Sequence, residues 1–233
     1  MKKIKLFTVG LCALTVISCG NATGNGALIG TGAGAALGAI IGKIAGNTAV
    51  GAAVGGAVGA GTGAIIGRHM DKVKAQAQAV QNAKVESYTD ANGLQGVKVT
   101  FDSGILFGTG SSTLQAAAKN SLTQFANNVL KVNPDCDVAV QGYTDNAGWR
   151  NSTAEQSYQK NVNLSQERAQ AVTSYLLSLG VSGNQIRSTT GFGEANPVAD
   201  NSTAAGKAQN RRVEVILYAS QAMIQAAEAG TLQ

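Results

Sequence analysis

A chain of 233 residues with 30 glycines, 2 prolines and a formal charge of +5 has room for one or two domains, and its glycine must be located before anything is averaged. The positive balance raises nucleic-acid binding as a class, yet three of the lysines fall within the first five residues and no basic stripe with interleaved aromatics follows them. That class is set aside.

The start, MKKIKLFTVGLCALTVISCG, places Lys2, Lys3 and Lys5 ahead of an apolar run from Leu6 to Ile17. This is the layout of a bacterial secretory signal, and it is too short for a spanning helix. Val16-Ile17-Ser18-Cys19 resembles a lipobox, which implies residues 1–18 as a signal peptide, Cys19 as the lipidated residue and 19–25 as a tether. Cleavage before Cys19 takes Lys+Arg from 18 to 15 against 13 Asp+Glu, so the net charge falls from +5 to +2. Cys12 leaves with the signal. Cys136 then has no partner for an intramolecular disulfide and reads as a small buried hydrophobe.

Residues 26–67 carry glycine at 26, 30, 34, 38, 42 and 46, and again at 51, 55, 59, 63 and 67. A four-residue step returns to nearly the same side of an α-helix, so each ladder makes a groove into which another backbone can settle. Asn47-Thr48 breaks the register, which predicts a helical hairpin with arms of about 30 Å at ~1.5 Å per residue. The segment resembles the glycine-zipper module of Gram-negative envelope lipoproteins. Two settings stay open for it, packing within a membrane and a close-packed hairpin outside one; a homo-oligomer built through these helices is a further expectation. Residues 68–94 are polar and rich in Ala, Gln and Lys, and read as a helical linker. His69, the sole histidine, has no second ligand or nucleophile near it in sequence and reads as solvated or interfacial.

From Gln95 the signals alternate between strand and helix. The pattern predicts strands at Val97 to Phe101, Asp137 to Tyr143, Gln185 to Gly191 and Arg212 to Ala219, and helices at Ser112 to Lys131 and Leu164 to Leu179. Ile105-Leu106-Phe107 reads as an extension of the first strand or an edge. The result is an α/β or α+β domain over 95–219, with 220–233 as a C-terminal tail. Asn163 and Gln166 read as a capping box for the second helix. Arg168 lies on or beside that helix's apolar face, where an unpaired charge costs about 3–5 kcal/mol. Asp145, in GYTDNAG, follows the end of a strand, the edge at which open α/β sheets present their sites. A structural Asp145–Arg168 ion pair and a ligand site are both compatible with that spacing.

GYTDNAG, NVNLSQERAQAV and GFGEANPVADNSTAAGKAQNRRVEV, in this order, resemble the OmpA-like C-terminal domain, which binds peptidoglycan without covalent attachment. The resemblance implies an α+β sandwich in an outer-membrane lipoprotein, lipid-anchored, with its folded domain in the periplasm. It implies that Asp145 and Arg168 hold the free end of diaminopimelate in the stem peptide, since an acceptor-only anion and a forked cation together read an ammonium and a carboxylate on one carbon. By the same resemblance Asn161 orients the ligand or the pocket, Tyr143 stands where the family commonly has histidine, and Asn210 and Arg212 match the NRRVE motif, with Arg212 expected near the pocket floor and Arg211 more exposed. Gly108 stands where many members have aspartate, and Trp149 to Lys160 lengthen a connection that is usually about four residues. Trp149 reads as packing over the pocket rim or as stacking on a sugar face.

The sequence contains no nucleophile beside a histidine, no clustered metal ligands and no carboxylate pair with separable roles. A binding and anchoring protein without cofactor or metal is therefore expected, with peptidoglycan and the outer membrane as partners. The alternative is a membrane-active zipper oligomer, a pore or an assembly accessory, that the wall-binding domain positions.

Overall fold

A computed structural model describes residues 60–90 and 94–232. The signal segment, Cys19, the first glycine ladder and the hairpin turn lie outside the described residues, and of the second ladder only Gly63 and Gly67 fall within them. The described elements, in chain order, are α1 (Ala60–Gln78), β1 (Ala83–Thr89), β2 (Gln95–Asp102), α2 (Ser103–Leu106), α3 (Ala116–Phe125, prolonged by a π turn Ala126–Leu130), β3 (Cys136–Tyr143), α4 (Ala154–Ser178), β4 (Ile186–Gly191), α5 (Ala204–Asn210), β5 (Arg212–Ala219) and α6 (Gln221–Glu228). The strands form one sheet in the order β1-β2-β5-β3-β4. All neighbours are antiparallel except β3 and β4, which run parallel and are joined through α4.

Period-2 alternation gives the sheet two faces of different chemistry. Val97, Val99, Phe101, Val138, Val140, Val213, Val215 and Leu217 point to one side and belong to a single core with the helices. Phe101 meets Phe125 edge-on, with ring centroids 5.6 Å apart. The intervening positions Ala139 and Ile216 face the other side, where Tyr88 and Tyr218 cover them.

Helix α1 is part of this core, which corrects the reading of 68–94 as a linker. Ile66, Met70, Val73 and Ala77 are fully buried, at steps of four, three and four residues that make one stripe. Each larger side chain among them contributes about 1.5–3 kcal/mol on burial, so the helix is held by the sheet rather than suspended from it. No helix among the described residues is long and apolar enough to cross a membrane. Asn82, at φ 59°, turns the chain from α1 into β1, an edge strand where a helix continuation was expected. Glu86 of β1 bridges Lys84 at 2.9 Å and its cross-strand partner Lys98 at 3.0 Å, while the Tyr88 ring lies over Gly96, where a Cβ would collide with it. Residues 220–233 are likewise more than a tail: Met223, Ile224 and Ala227 of α6 are buried in the same core.

Two further expectations change. Ile105-Leu106-Phe107 is no strand extension, because Asp102 accepts the Gly104 N–H and starts the short helix α2. Helix α4 begins ten residues before the expected Leu164, because Thr153 and Gln156 form the reciprocal capping box, with Gln156 N to Thr153 Oγ1 at 3.2 Å and Thr153 N to Gln156 Oε1 at 3.0 Å. The extra residues after Thr153 are thus helical turns. Gln166, freed from capping, accepts the Gly191 N–H at 2.7 Å and donates to the Thr189 carbonyl at 3.2 Å, tying α4 to β4.

Glycine sets how closely α4 approaches the sheet. A Cβ on Gly142 would run into the Ser165 carbonyl, and one on Gly191 into the Gln166 backbone. Their absence lets the helix backbone rest directly on β3 and β4, and this contact places Asn161 and Arg168 beside the loop that follows β3.

Candidate functional site

A cleft of about 650 Å³ opens where that loop, α4 and the α2–α3 connection meet. Asn161, Leu164 and Arg168 lie on one face of α4 by their three- and four-residue spacing, and all three line it. The charged residues on its wall are Asp145, Arg150, Arg168 and Arg211.

Arg168 is buried, with 4% of its surface exposed. Its Nε donates to the Ser111 carbonyl at 3.0 Å and its Nη2 to the Gly108 carbonyl at 3.4 Å, and its guanidinium lies 5.2 Å from the Phe107 ring centroid. Burial, and after it the Arg211 charge, lower its pKa, with Asp145 opposing. Position 108, where no side chain is available, thus reaches the arginine through its carbonyl.

Asp145 is also buried, at 7% exposure. Its Oδ1 accepts the Ala147 N–H at 3.0 Å, and its Oδ2 receives Arg211 Nη1 at 2.5 Å. The ion pair expected with Arg168 is therefore made with Arg211. Asn161 acts on the loop: its Nδ2 donates to the Ala147 carbonyl at 3.2 Å and lies 3.5 Å from the Asp145 carbonyl, while its Oδ1 accepts the Trp149 indole N–H at 2.7 Å. Trp149 lines the cleft, and Lys160 Nζ sits 5.8 Å from its ring centroid.

Of the six residues singled out in the sequence, Asp145, Asn161 and Arg168 come together in the cleft, and Tyr143, Asn210 and Arg212 do not line it. For Tyr143 and Arg212 strand alternation is the reason. Tyr143 and Arg212 share parity with Ala139 and Ile216 and point to the opposite face, where Arg212 stacks 3.8 Å from the Tyr143 ring centroid and pairs with Glu214 at 2.7 Å. Tyr143 donates to Gln141 Oε1 at 2.8 Å and stacks on Phe192. Asn210 staples the loop before α5: its Oδ1 accepts the Val198 and Ala199 N–H groups, and its Nδ2 donates to the Ala199 carbonyl and Asn201. Arg211 has the parity of Val213 and lines the cleft, which corrects the expectation of Arg212 near the pocket floor, while Arg211 is the more exposed of the two, at 39% of its side chain against 4%. The same alternation in RRVEV was the signal that could have found Arg211. Nothing in the sequence marks the Gly108 and Ser111 carbonyls.

Residues 106–211 match the OmpA family, and residues 1–71 match the YMGG-like Gly-zipper. YiaD of Escherichia coli K12, named a probable lipoprotein, is 40% identical over 152 residues, 65% of this chain and 64% of its own length. ArfA of Mycobacterium tuberculosis, named a peptidoglycan-binding protein, is 41% identical over 113 residues, 48% of this chain and 32% of its own. This chain therefore spans less than two thirds of either of those relatives. The outer-membrane lipoprotein YfiB of Pseudomonas aeruginosa is 35% identical over 125 residues, 54% of this chain and 68% of YfiB. Among solved structures, the cell wall anchor of the T6SS from Pseudomonas aeruginosa superposes with a TM-score of 0.51 at 28% identity, covering 65% of this chain and 97% of that one. The matched domain, the glycine-zipper segment ahead of it and the extent of the YfiB match give one result: the chain belongs to the OmpA family.

Proposed function

We propose that this chain binds peptidoglycan non-covalently, that its cleft takes the zwitterionic end of diaminopimelate, and that lipid on Cys19 makes the attachment a tether between the outer membrane and the cell wall. The folded domain would then stand in the periplasm, as a binding module and not as an enzyme. The observation that carries this reading is the state of Arg168, a buried guanidinium held by two carbonyls and an aromatic ring on the wall of a cleft that also contains Asp145. A ligand carboxylate supplies the bidentate partner that the carbonyl dipoles do not. Asp145 has about four acceptor positions, of which Ala147 and Arg211 occupy two, leaving room for the ligand's ammonium. Asn161 positions the loop and Arg211 steadies the carboxylate. The printed names of ArfA and of the wall-anchor structure support the substrate class.

Sedimentation with purified sacculi tests the proposal. Asp145→Ala and Arg168→Ala are expected to weaken pelleting by tenfold or more, in line with the roughly 1.5–3 kcal/mol of a hydrogen bond to a charged group, with circular dichroism unchanged. Free diaminopimelate should compete, and sacculi whose stems carry lysine instead should bind less. Full pelleting of both variants sinks the site; equal binding to both wall types sinks the diaminopimelate assignment alone.

A further inference from the structure

Away from the cleft, the fold brings one side chain against two consecutive ones that the sequence keeps far from it. His69 projects from α1, Asp135 ends the turn before β3, and Cys136 is the first residue of β3. Their imidazole nitrogen, carboxylate oxygen and thiol sulfur all lie within 4.8 Å of one another, and His69 Nε2 is 3.5 Å from Asp135 Oδ2. Three donors on a tetrahedral zinc ion, at bond lengths of about 2.0–2.3 Å, stand roughly 3.4–3.7 Å apart. Small side-chain rotations would close the difference.

A second observation is independent of that spacing. Both His69 ring nitrogens are buried and have no hydrogen-bond partner among the described residues. An unsatisfied buried polar group costs about 1–3 kcal/mol, and a buried imidazole beside a carboxylate and a thiol gains a partner when a cation binds between them. The donor set is mixed N, O and S, which suits zinc better than calcium or magnesium. The ordinary alternative is a weak His–Asp contact over a structural cysteine.

We propose that His69, Asp135 and Cys136 form a zinc site that clamps α1 to the start of β3, with water completing the coordination beside the partly exposed Asp135. Such a clamp joins the helix that carries the last rungs of the glycine ladder to an inner strand of the sheet. The turn is already tied to the same helix once, by Asn133 Nδ2 donating to Gln76 Oε1 at 2.7 Å. Burial, followed by the Asp135 and Asp137 charges, holds the Cys136 thiol protonated in the metal-free chain. A dication at this position reverses the electrostatic part and releases the proton on binding.

The test uses the full chain, purified under a non-chelating reductant, and its His69→Gln, Asp135→Asn and Cys136→Ser variants. One zinc should be retained per chain after dialysis. Cobalt substitution should give tetrahedral d–d bands and a thiolate charge-transfer band, with the latter lost in Cys136→Ser. His69→Gln and Asp135→Asn should weaken zinc by at least the roughly tenfold that even outer-shell changes cause at such sites, and zinc should raise the melting temperature of the parent chain alone. Cys12 and Cys19 are common to all four proteins, so metal held by them persists in every variant. No retained zinc in the parent overturns the proposal, as does equal retention in His69→Gln, a change at a partly exposed helix position that decides the matter even if Cys136→Ser fails to fold.

Discussion

The two faces of the sheet each bury an arginine, and they treat it oppositely. On the back face Arg212 is matched from within the fold, although it too lines a cleft, of about 570 Å³: Glu214 pairs with it, the Asn210 and Asn196 carbonyls accept from it, and the Tyr143 ring covers it. On the helix face Arg168 has only carbonyls and a ring, and it borders open volume. Both residues are 4% exposed, so burial alone does not tell the two apart. What separates them is whether the fold itself supplies the counter-charge.

The largest effect expected from breaking this contrast is at the Arg212–Glu214 pair. Glu214→Ala strands Arg212 in the interior and should cost about 3–5 kcal/mol in chemical denaturation, while the fraction that stays folded binds sacculi as before. Loss of binding in that folded fraction would show that the faces are not independent. A smaller effect is expected at the contact that builds the cleft. Gly142→Ala forces a methyl against the Ser165 carbonyl and should cost about 1–3 kcal/mol, and because it displaces α4 it should weaken sacculus binding as well. The smallest effect concerns alkaline pH. Burial, helped by the Asp137 charge, pushes the Tyr218 phenol up to about 12 from its ordinary 10.0, and burial raises Tyr88 and Tyr143 too. A phenol whose pKa is raised by folding contributes its stability in full below pH 10 and loses it as pH climbs through about 12. Melting temperature should therefore fall over that window, less steeply in Tyr218→Phe, with the helix-face cleft playing no part in the difference.

How far the sequence led depends on the range of each signal. Strands β2, β3 and β5 were legible to within two residues because Val, Ile and Phe alternate or cluster there, and β4 because Ile186, Thr189 and Thr190 are β-branched. Asp145 and Arg168 were legible because a charge at a strand end and a charge on an apolar helix face both conflict with a purely structural pattern. β1 was not, since AKVESYT shows little apolar alternation: an edge strand stabilised by cross-strand ion pairs and one ring over a glycine takes its evidence from β2, not from itself. The early start of α4 was local and was missed, for Thr153-x-x-Gln156 is as good a capping signal as the one chosen further on. The meeting of His69 with Asp135 and Cys136 is a product of tertiary packing, so an expectation of no clustered metal ligands drawn from spacing could not have anticipated it.

Gly63 and Gly67, the last rungs of the second ladder, lie on the same helix whose Ile66, Met70 and Val73 are built into the core. Any pull arriving from the N-terminal side consequently enters the fold through a rigid lever and not through slack chain. Yielding under tension would begin by peeling α1 off the sheet, turn by turn, against the grip of that buried stripe and of the Asn133–Gln76 hydrogen bond.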